Sequence, residues 1–417
     1  MSKKKKLIPK LRFPEFKNED EWEIEIFENV FDRLTSKNDE NNQNVLTISA
    51  QQGLVSQLDY FNKKVAAKDV TGYYLLHKGD FAYNKSYSKG YPMGAIKPLK
   101  FYDKGVVSTL YICFRAKDEN TVTFFEHYFE AGLLNSEISK IAQEGGRAHG
   151  LLNVGITDFF NTRLLIPNPK EQQKIAACLS SLDELINAHD AKLETLKNHK
   201  KGLMQNLFPQ EGKKVPNYRF QEFKNDGEWE LKELVKVAEI ITGNTPSTME
   251  SSYYGGEKMF VSPADMSDNR IVSETKTTLT ELGFSKTRQI KSNSVLFVCI
   301  GSTIGKVAQN KYECATNQQI NSLVALKGYS SDFLYSLLDC KSRQIASIAG
   351  NHAVPIINKT SFSAVKLPFP PSSEEQEKIA SCFLTLDELI TAQTEKIVQL
   401  QQHKKGLMQD LFPKMEK

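Results

Sequence analysis

Two stretches of this chain carry apolar residues in alternating steps of four and three. The first places Ile175, Leu179, Leu182, Ile186, Leu193, Leu196, Leu203 and Leu207 on one stripe, with His189 and Lys200 in the vacant steps. The second repeats it with Ile379, Phe383, Leu386, Ile390, Ile397, Leu400, Leu407 and Leu411, and with Gln393 and Lys404 in the gaps. Such a stripe returns every 3.5 residues and stays turned toward a partner helix. The pattern predicts two long helices meeting antiparallel along an a/d seam, with the polar steps setting register if the two pair. Asn168-Pro169-Lys170-Glu171 supplies an N-cap, a proline at N1 and an acid at N3, and Ser372-Ser373-Glu374-Glu375 reads as a capping box. A helix of about 36 residues is ~54 Å long. Gly202 and Gly406 each cost about 1 kcal/mol inside a helix. They are expected to bend or stop the rod, leaving the following Leu-Met-Gln-Asn/Asp-Leu-Phe-Pro stretch as a separate turn.

The helices belong to a larger repeat. Residues 171–209 and 375–413 align at an offset of 204 with about 24 of 39 positions identical. A leader precedes each half: Arg12-Phe-Pro-Glu-Phe-Lys-Asn…Glu-Trp-Glu23 and Arg219-Phe-Gln-Glu-Phe-Lys-Asn…Glu-Trp-Glu230. The chain thus reads as leader 1–23, variable region 24–168, spacer helix 169–210, linker and second leader 211–230, variable region 231–370, and spacer helix 371–417. The variable regions share little sequence. Both mix strand-like runs (44–49, 106–114, 295–300) with one helical stretch each, near 124–142 and 331–348. The fold class is α+β: two mixed α/β modules separated by two long antiparallel coiled-coil helices, in a pseudo-twofold internal repeat.

Polar and basic residues interleave at few places in these modules. In the first, Asn84, Lys85, Ser86, Tyr87, Lys89 and Tyr91 follow a strand. The lysines suit phosphates, and the amide and hydroxyl suit base edges. In the second, Asn244 and Thr245 lie in a turn-like stretch, and Asn317, Gln318, Gln319 and Asn321 are rich in the amides that pair with adenine. Gly-rich basic segments carry Arg147 with His149, and Asn351 with His352; they suit close approach to a phosphate backbone or plain tight turns. Gly301-Ser-Thr-Ile-Gly-Lys306 mimics a phosphate loop, but it is one residue short and Val307 replaces the metal-binding hydroxyl. Ser302, Thr303 and Lys306 remain contacts for DNA phosphate.

Composition removes other classes. A net charge of +4 and 25% charged residues describe an ordinary globular chain with no strong nucleic-acid bias. No apolar run approaches a membrane span, no secretory signal opens the chain, and Lys3–Lys6 reads either as a DNA contact or, as is commoner, a solubilising tail. Six dispersed cysteines without a C-x-x-C pair fit a cytoplasmic protein with reduced thiols and no metal. No Asn-Pro-Pro-aromatic segment is present to bind a flipped adenine, and no catalytic set emerges. His199 and His403 occupy equivalent helix positions, where a packing role is expected.

These residues resemble a family. The paired EQxKIA…LDELI…HKKGLMQ(N/D)LFP helices, the two leaders, and Gly243-Asn-Thr-Pro-Ser with Gly301-Ser-Thr-Ile-Gly-Lys-Val are similar to the specificity subunit of type I restriction-modification systems. The resemblance covers nearly the whole chain. It implies two target-recognition domains, each reading one half of a bipartite site in double-stranded DNA, and helices that act as a ruler. It also implies docking of two methyltransferase subunits and a translocase-endonuclease, with the chain itself non-catalytic and cytoplasmic. No cofactor is expected here; S-adenosylmethionine, ATP and magnesium belong to the partners. Asn84-Lys-Ser-Tyr stands where a G-S-T-I-G-K-like segment is expected, so contacts carry over less directly to the first module.

Overall fold

A computed structural model describes residues 7–49, 52–61, 69–144, 150–267, 269–350 and 354–413. Two compact units emerge: residues 1–188 with 397–417, and residues 189–396. Each unit therefore contains one variable region and part of both long helices.

In the first unit, strands β1 (Glu23–Ile26), β2 (Phe31–Leu34), β3 (Leu46–Ser49), β4 (Gly53–Ser56), β5 (Phe81–Asn84), β6 (Ala95–Pro98), β7 (Ile112–Ala116) and β8 (Arg163–Ile166) frame the head. The central sheet is antiparallel in the order β2-β7-β5-β6, with Phe81 opposite both Phe114 and Pro98. β1 pairs with β8, and β3 with β4. Phe81, Tyr83, Ile112 and Phe114 face an aromatic core with Phe27, Phe31, Phe125, Phe129 and Phe159. Ala82 and Cys113 face a second cluster with Leu46, Leu54, Leu76 and Val107. Apolar cover on both faces is why these strands read as unbroken hydrophobic runs instead of alternating.

The second unit uses β9 (Glu230–Glu233), β10 (Ala238–Thr242), β11 (Val295–Val298), β12 (Val307–Asn310), β13 (Ile320–Ala325) and β14 (Lys366–Phe369). Its sheet runs β10-β13-β11-β12, and Ile271–Val272 adds a parallel edge to β12. β9 pairs with β14. On β11, Val295 and Phe297 enter one core while Leu296 and Val298 enter another. The four-strand order β10-β13-β11-β12 matches β2-β7-β5-β6 of the first head, although the two sequences share little.

The stem helices run Pro169–Leu207 and Ser373–Leu411, 39 residues each, or ~58 Å at 1.5 Å per residue. Neither stops at its glycine, contrary to the expectation from helix propensity. The last turn is held instead by Leu207 and Phe208, and by Leu411 and Phe412, which are buried in the cores; tertiary packing outweighs a ~1 kcal/mol propensity cost. All the 4-3 positions, Ile175, Leu179, Leu182, Ile186, Leu193 and Leu196, and Ile379, Phe383, Leu386, Ile390, Ile397 and Leu400, are buried or half-buried. The helices run antiparallel in each unit: Lys404 meets Asp183 at 2.5 Å in the first, and Lys200 meets Asp387 at 2.7 Å in the second. Gln393 donates to the His189 carbonyl at 2.7 Å. The polar interruptions of the stripe are thus satisfied pairwise.

Four local expectations change. Ser372 Oγ accepts from Glu375 N at 3.2 Å, but the Glu375 carboxylate does not return the capping bond. It accepts two bonds from Arg219, at 2.8 and 2.7 Å, just as Glu171 does from Arg12. A buried bidentate guanidinium outcompetes one backbone N–H. The run 106–114 splits into two strands of different sheets, Lys104–Val107 and β7, at a turn closed by Tyr111 N on Ser108 O. The stretch 124–142 breaks into Val122–Glu130 and Asn135–Ile141 where Gly132 takes φ +72°. His199 and His403 are exposed, so no core contact explains their recurrence.

Candidate nucleic-acid interface

In the first head, the loop joining β5 to β6 carries the predicted cluster. Asn84 Oδ1 accepts from Ser86 N at 3.1 Å, and Lys85 O from Leu152 N at 3.0 Å. Tyr87 N donates to Gly150 O at 2.8 Å, and Ser88 to Tyr91 closes a turn at Gly90, φ +90°. A Cβ on Gly94 would lie 2.2 Å from Asn84 O, so only glycine lets β6 start so close to β5. The loop is therefore a braced platform. Tyr87 is 63% exposed, Lys89 is exposed, and Lys85 and Ser86 are half-exposed.

Tyr91 does not join them. Its hydroxyl donates to Glu130 at 2.5 Å and accepts from Lys97 at 3.1 Å, and burial beside Glu130 raises the phenol above its ordinary range. It ties the loop to the head helix Val122–Glu130 and offers DNA nothing. Arg147 and His149 lie outside the described residues.

In the second head three loops converge. Gly243 packs where a Cβ would be 2.2 Å from Thr316 O, which draws the 243–247 turn onto 316–319. Thr245 Oγ1 donates to Gln318 Oε1 at 2.8 Å, and Gln319 Nε2 reaches Ile300 O at 3.2 Å, joining the 300–306 loop. Asn317 pairs with Gln319 at 3.0 Å. Asn244 spends its whole amide on bracing: Nδ2 donates to Lys286 O at 3.0 Å and Oδ1 accepts from Arg288 N at 2.9 Å. Gln318 and Ser302 are exposed and Thr303 is half-exposed. Lys306 is exposed and donates to Met266 O at 2.9 Å.

Asn321 is a correction. It is 2% exposed, accepts from Thr242 Oγ1 at 2.6 Å and donates to Cys299 Sγ at 3.2 Å, so it cannot reach a base. It sits inside strand β13, where Ile320 to Leu323 are all buried, and the apolar residues flanking it were the missed signal. Asn351 and His352 lie outside the described residues. Two cations escaped the sequence reading: Lys286 and Arg288 are exposed beside the 243–247 turn, and Arg288 Nη1 donates to Thr242 O at 2.6 Å. They follow a short helix, with no amide-rich flank to single them out.

The loops 85–94 and 299–306 occupy the same place in the two sheets, β5 to β6 and β11 to β12. Each is laced to one later segment: Ser86 bridges Leu151, and Ile300 bridges Ile356. The mounting is common and the side chains differ. Burial pushes the Cys113, Cys299 and Cys314 thiols up to about 12, and among the described residues no three metal-ligating side chains cluster. No described helix is long and apolar enough to cross a membrane.

Comparison with known proteins decides between families. The model of the type I restriction modification DNA specificity domain matches residues 19–198 and again 226–402, once in each half. The chain belongs to the type I restriction-modification specificity subunits. It is 29% identical over 168 residues to the MjaIX specificity subunit of Methanocaldococcus jannaschii, covering 39% of each chain. It is 31% identical over 166 residues to the HindI specificity subunit of Haemophilus influenzae, 37% of this chain and 35% of that one. These matches span under two-fifths of either relative. Among solved structures, the S subunit from M. genitalium superposes over 98% of this chain and all of that one, with TM-score 0.61 at 14% identity. A chain from a study of type I complex assembly and conformational transition follows at TM-score 0.56 and 17% identity, over 94% and 97%. Both share the specificity-subunit fold.

Proposed function

We propose that this specificity subunit reads a bipartite target in double-stranded DNA, one half-site with each head, and does no chemistry itself. One observation carries the reading: two heads of one topology present equivalent braced loops, 85–94 and 299–306, bearing different side chains. Identical mounts with different faces suit two different half-sites separated by an unspecified gap. Modest net charge is sufficient, because the cations sit locally on the loops (Lys85 and Lys89; Lys286, Arg288 and Lys306). The test replaces residues 24–168 with another reader and maps the methylated motif. One half-site should change and the other persist; a change in both halves overturns modular reading.

The stem carries the partners in this proposal. Eight exposed positions are identical in the two helix copies; Lys174 and Lys378 pair with Glu15 and Glu222, and the other seven are Glu184/Glu388, Leu185/Leu389, Ala188/Ala392, Lys192/Lys396, His199/His403, Lys201/Lys405 and Gln205/Gln409. Intramolecular packing does not require them, and a duplicated surface fits two copies of one partner. Those partners are two methyltransferase subunits, with S-adenosylmethionine on them, and a translocase-endonuclease using ATP and magnesium, all in the cytoplasm. Glu184→Lys together with Glu388→Lys should weaken two-partner assembly by gel filtration with light scattering. Unchanged stoichiometry counts against that face.

A further inference from the structure

Beside the β5–β6 loop of the first head lies a cleft of about 300 Å³. One wall is the loop itself, with Asn84, Ser86, Tyr87 and Lys89; the other is Ile48 and Ser49 of β3 with Tyr60 of the short helix Gln57–Phe61. Its groups are mixed in a way a plain surface crevice does not need. Ser49 is buried, and its hydroxyl accepts one bond from Gln52 N at 3.2 Å, which leaves its proton undirected. The Asn84 carboxamide uses only its oxygen, and Nδ2 donates to nothing among the described residues. The Ser86 and Tyr60 hydroxyls have no partner there either, while Ile48 is half-buried and Tyr60 is 48% exposed.

Amide and hydroxyl groups without partners among the described residues, beside a small apolar wall and with a lysine at the rim, match the major-groove edge of a base pair. That edge offers hydrogen-bonding atoms in a fixed pattern and, on thymine, a methyl group. We infer that this cleft reads one base pair of the half-site assigned to the first head. Asn84 bonds the base edge, Tyr60 and Ile48 press on its apolar part, and Lys89 holds the adjacent phosphate. Tyr60 and Ile48 are then specificity residues supplied from outside the loop. The inference rests on the DNA reading above.

The test uses the full chain bound to its methyltransferase partner, a random duplex pool, and sequencing of the retained DNA. Asn84→Ala and Tyr60→Ala should relax preference at one base pair of one half-site by roughly 5- to 150-fold and leave the other half-site intact. Lys89→Ala should lower retention of all sequences evenly and flatten its salt dependence. Tyr60→Phe, which keeps the ring, controls for folding and should hold most of the preference. If Tyr60→Ala and Asn84→Ala leave the motif unchanged or lower affinity evenly, the base-reading cleft is overturned while DNA recognition stands. If the unaltered complex enriches no motif, both readings fail.

Discussion

In the first unit Phe412 enters the head among Trp22, Phe124 and Tyr128, with ring centroids 5.9–6.0 Å away. In the second, Phe208 meets Trp229, Phe333 and Phe383 at 5.6–6.4 Å, stacking flat on Phe383. Around this shared aromatic plug the two junctions differ. The second is closed by charge: Arg270, 6% exposed, donates to Asp332 at 2.5 Å and Gln309 at 2.6 Å, approaches Asp387 at 3.5 Å and lies over the Tyr335 ring. The first has no such arginine among the described residues. His127 touches Ser180 at 3.1 Å there, beside a cavity of about 730 Å³ lined by Lys100, Glu126, Asp183 and Lys404. Phe412 with Trp22, and Phe208 with Trp229, come from the repeated letters of the chain, Leu-Phe-Pro and Glu-Trp-Glu, whereas Phe124, Tyr128, Phe333 and Arg270 come from the variable regions.

If the plug is the common element, Phe412→Ala and Phe208→Ala should each cost about 4 kcal/mol, the usual loss for a fully buried phenylalanine. Denaturant titration followed by circular dichroism reads both, and one variant losing less than half of the other's value breaks the equivalence. Next in size is the charged closure. Arg270→Ala leaves Asp332 with only Gln309 Nε2 at 3.1 Å, removes the cation beside one oxygen of Asp387, and should cost about 3 kcal/mol. Lys404→Ala in the first unit removes a more exposed partner of Asp183 and should cost about 1 kcal/mol. Equal losses would show that Arg270 does not distinguish the junctions.

Acid should separate the units further. Burial, reinforced by Lys404, lowers the His127 imidazole from 6.5 to about 4 against the raising pull of Asp183; Lys100 and Glu130 act more weakly and in opposite senses. The folded form holds a neutral ring, so between pH 6.5 and 4 the unfolded chain binds the extra proton. Stability is intact above about 6.5 and is lost as pH falls toward 4, by about 2 kcal/mol at pH 5. Below that, Glu137 acts in the same direction. Burial alone would raise its carboxyl, but hydrogen bonds from Arg163 and Lys140 prevail and bring it to about 2. Unfolding midpoints from pH 7 to 4 should fall for the wild type and stay flatter for His127→Asn. A parallel fall in both would remove His127 from the account.

The sequence stripe was enough to find both stems, because a 4-3 pattern encodes direction as well as helix. Their partners in the leaders were not legible. Arg12 and Arg219 stood only as letters of the repeated leaders, and they are spent on Glu171 and Glu375, 159 and 156 residues away. The shared topology of the heads was hidden for a related reason: a sheet buried on both faces accepts any apolar run, so Phe81-Ala-Tyr and Val295-Leu-Phe fill the same strand without resembling each other. At the loops, residue type suggested contact where geometry decides it. Asn321 and Gln318 are both amides, yet one points into the sheet and the other out of it. Tyr60 and Ile48 reach the cleft only through the β3–β4 hairpin, which no local pattern connects to Asn84.

The smallest expected effect tests what the two stems still have in common. Gly202 and Gly406 lie inside continuous helices, and a Cβ at either would meet nothing within 4 Å. Neither takes a positive φ, so alanine enters without strain. It also narrows the unfolded ensemble, and Gly202→Ala and Gly406→Ala should each stabilise the chain by about 1 kcal/mol, additively because the sites are equivalent but separate. The measurement is the urea midpoint of each single variant and of the pair. A destabilised variant would mean the backbone there needs glycine after all, and unequal gains would mean the two stem ends are not equivalent.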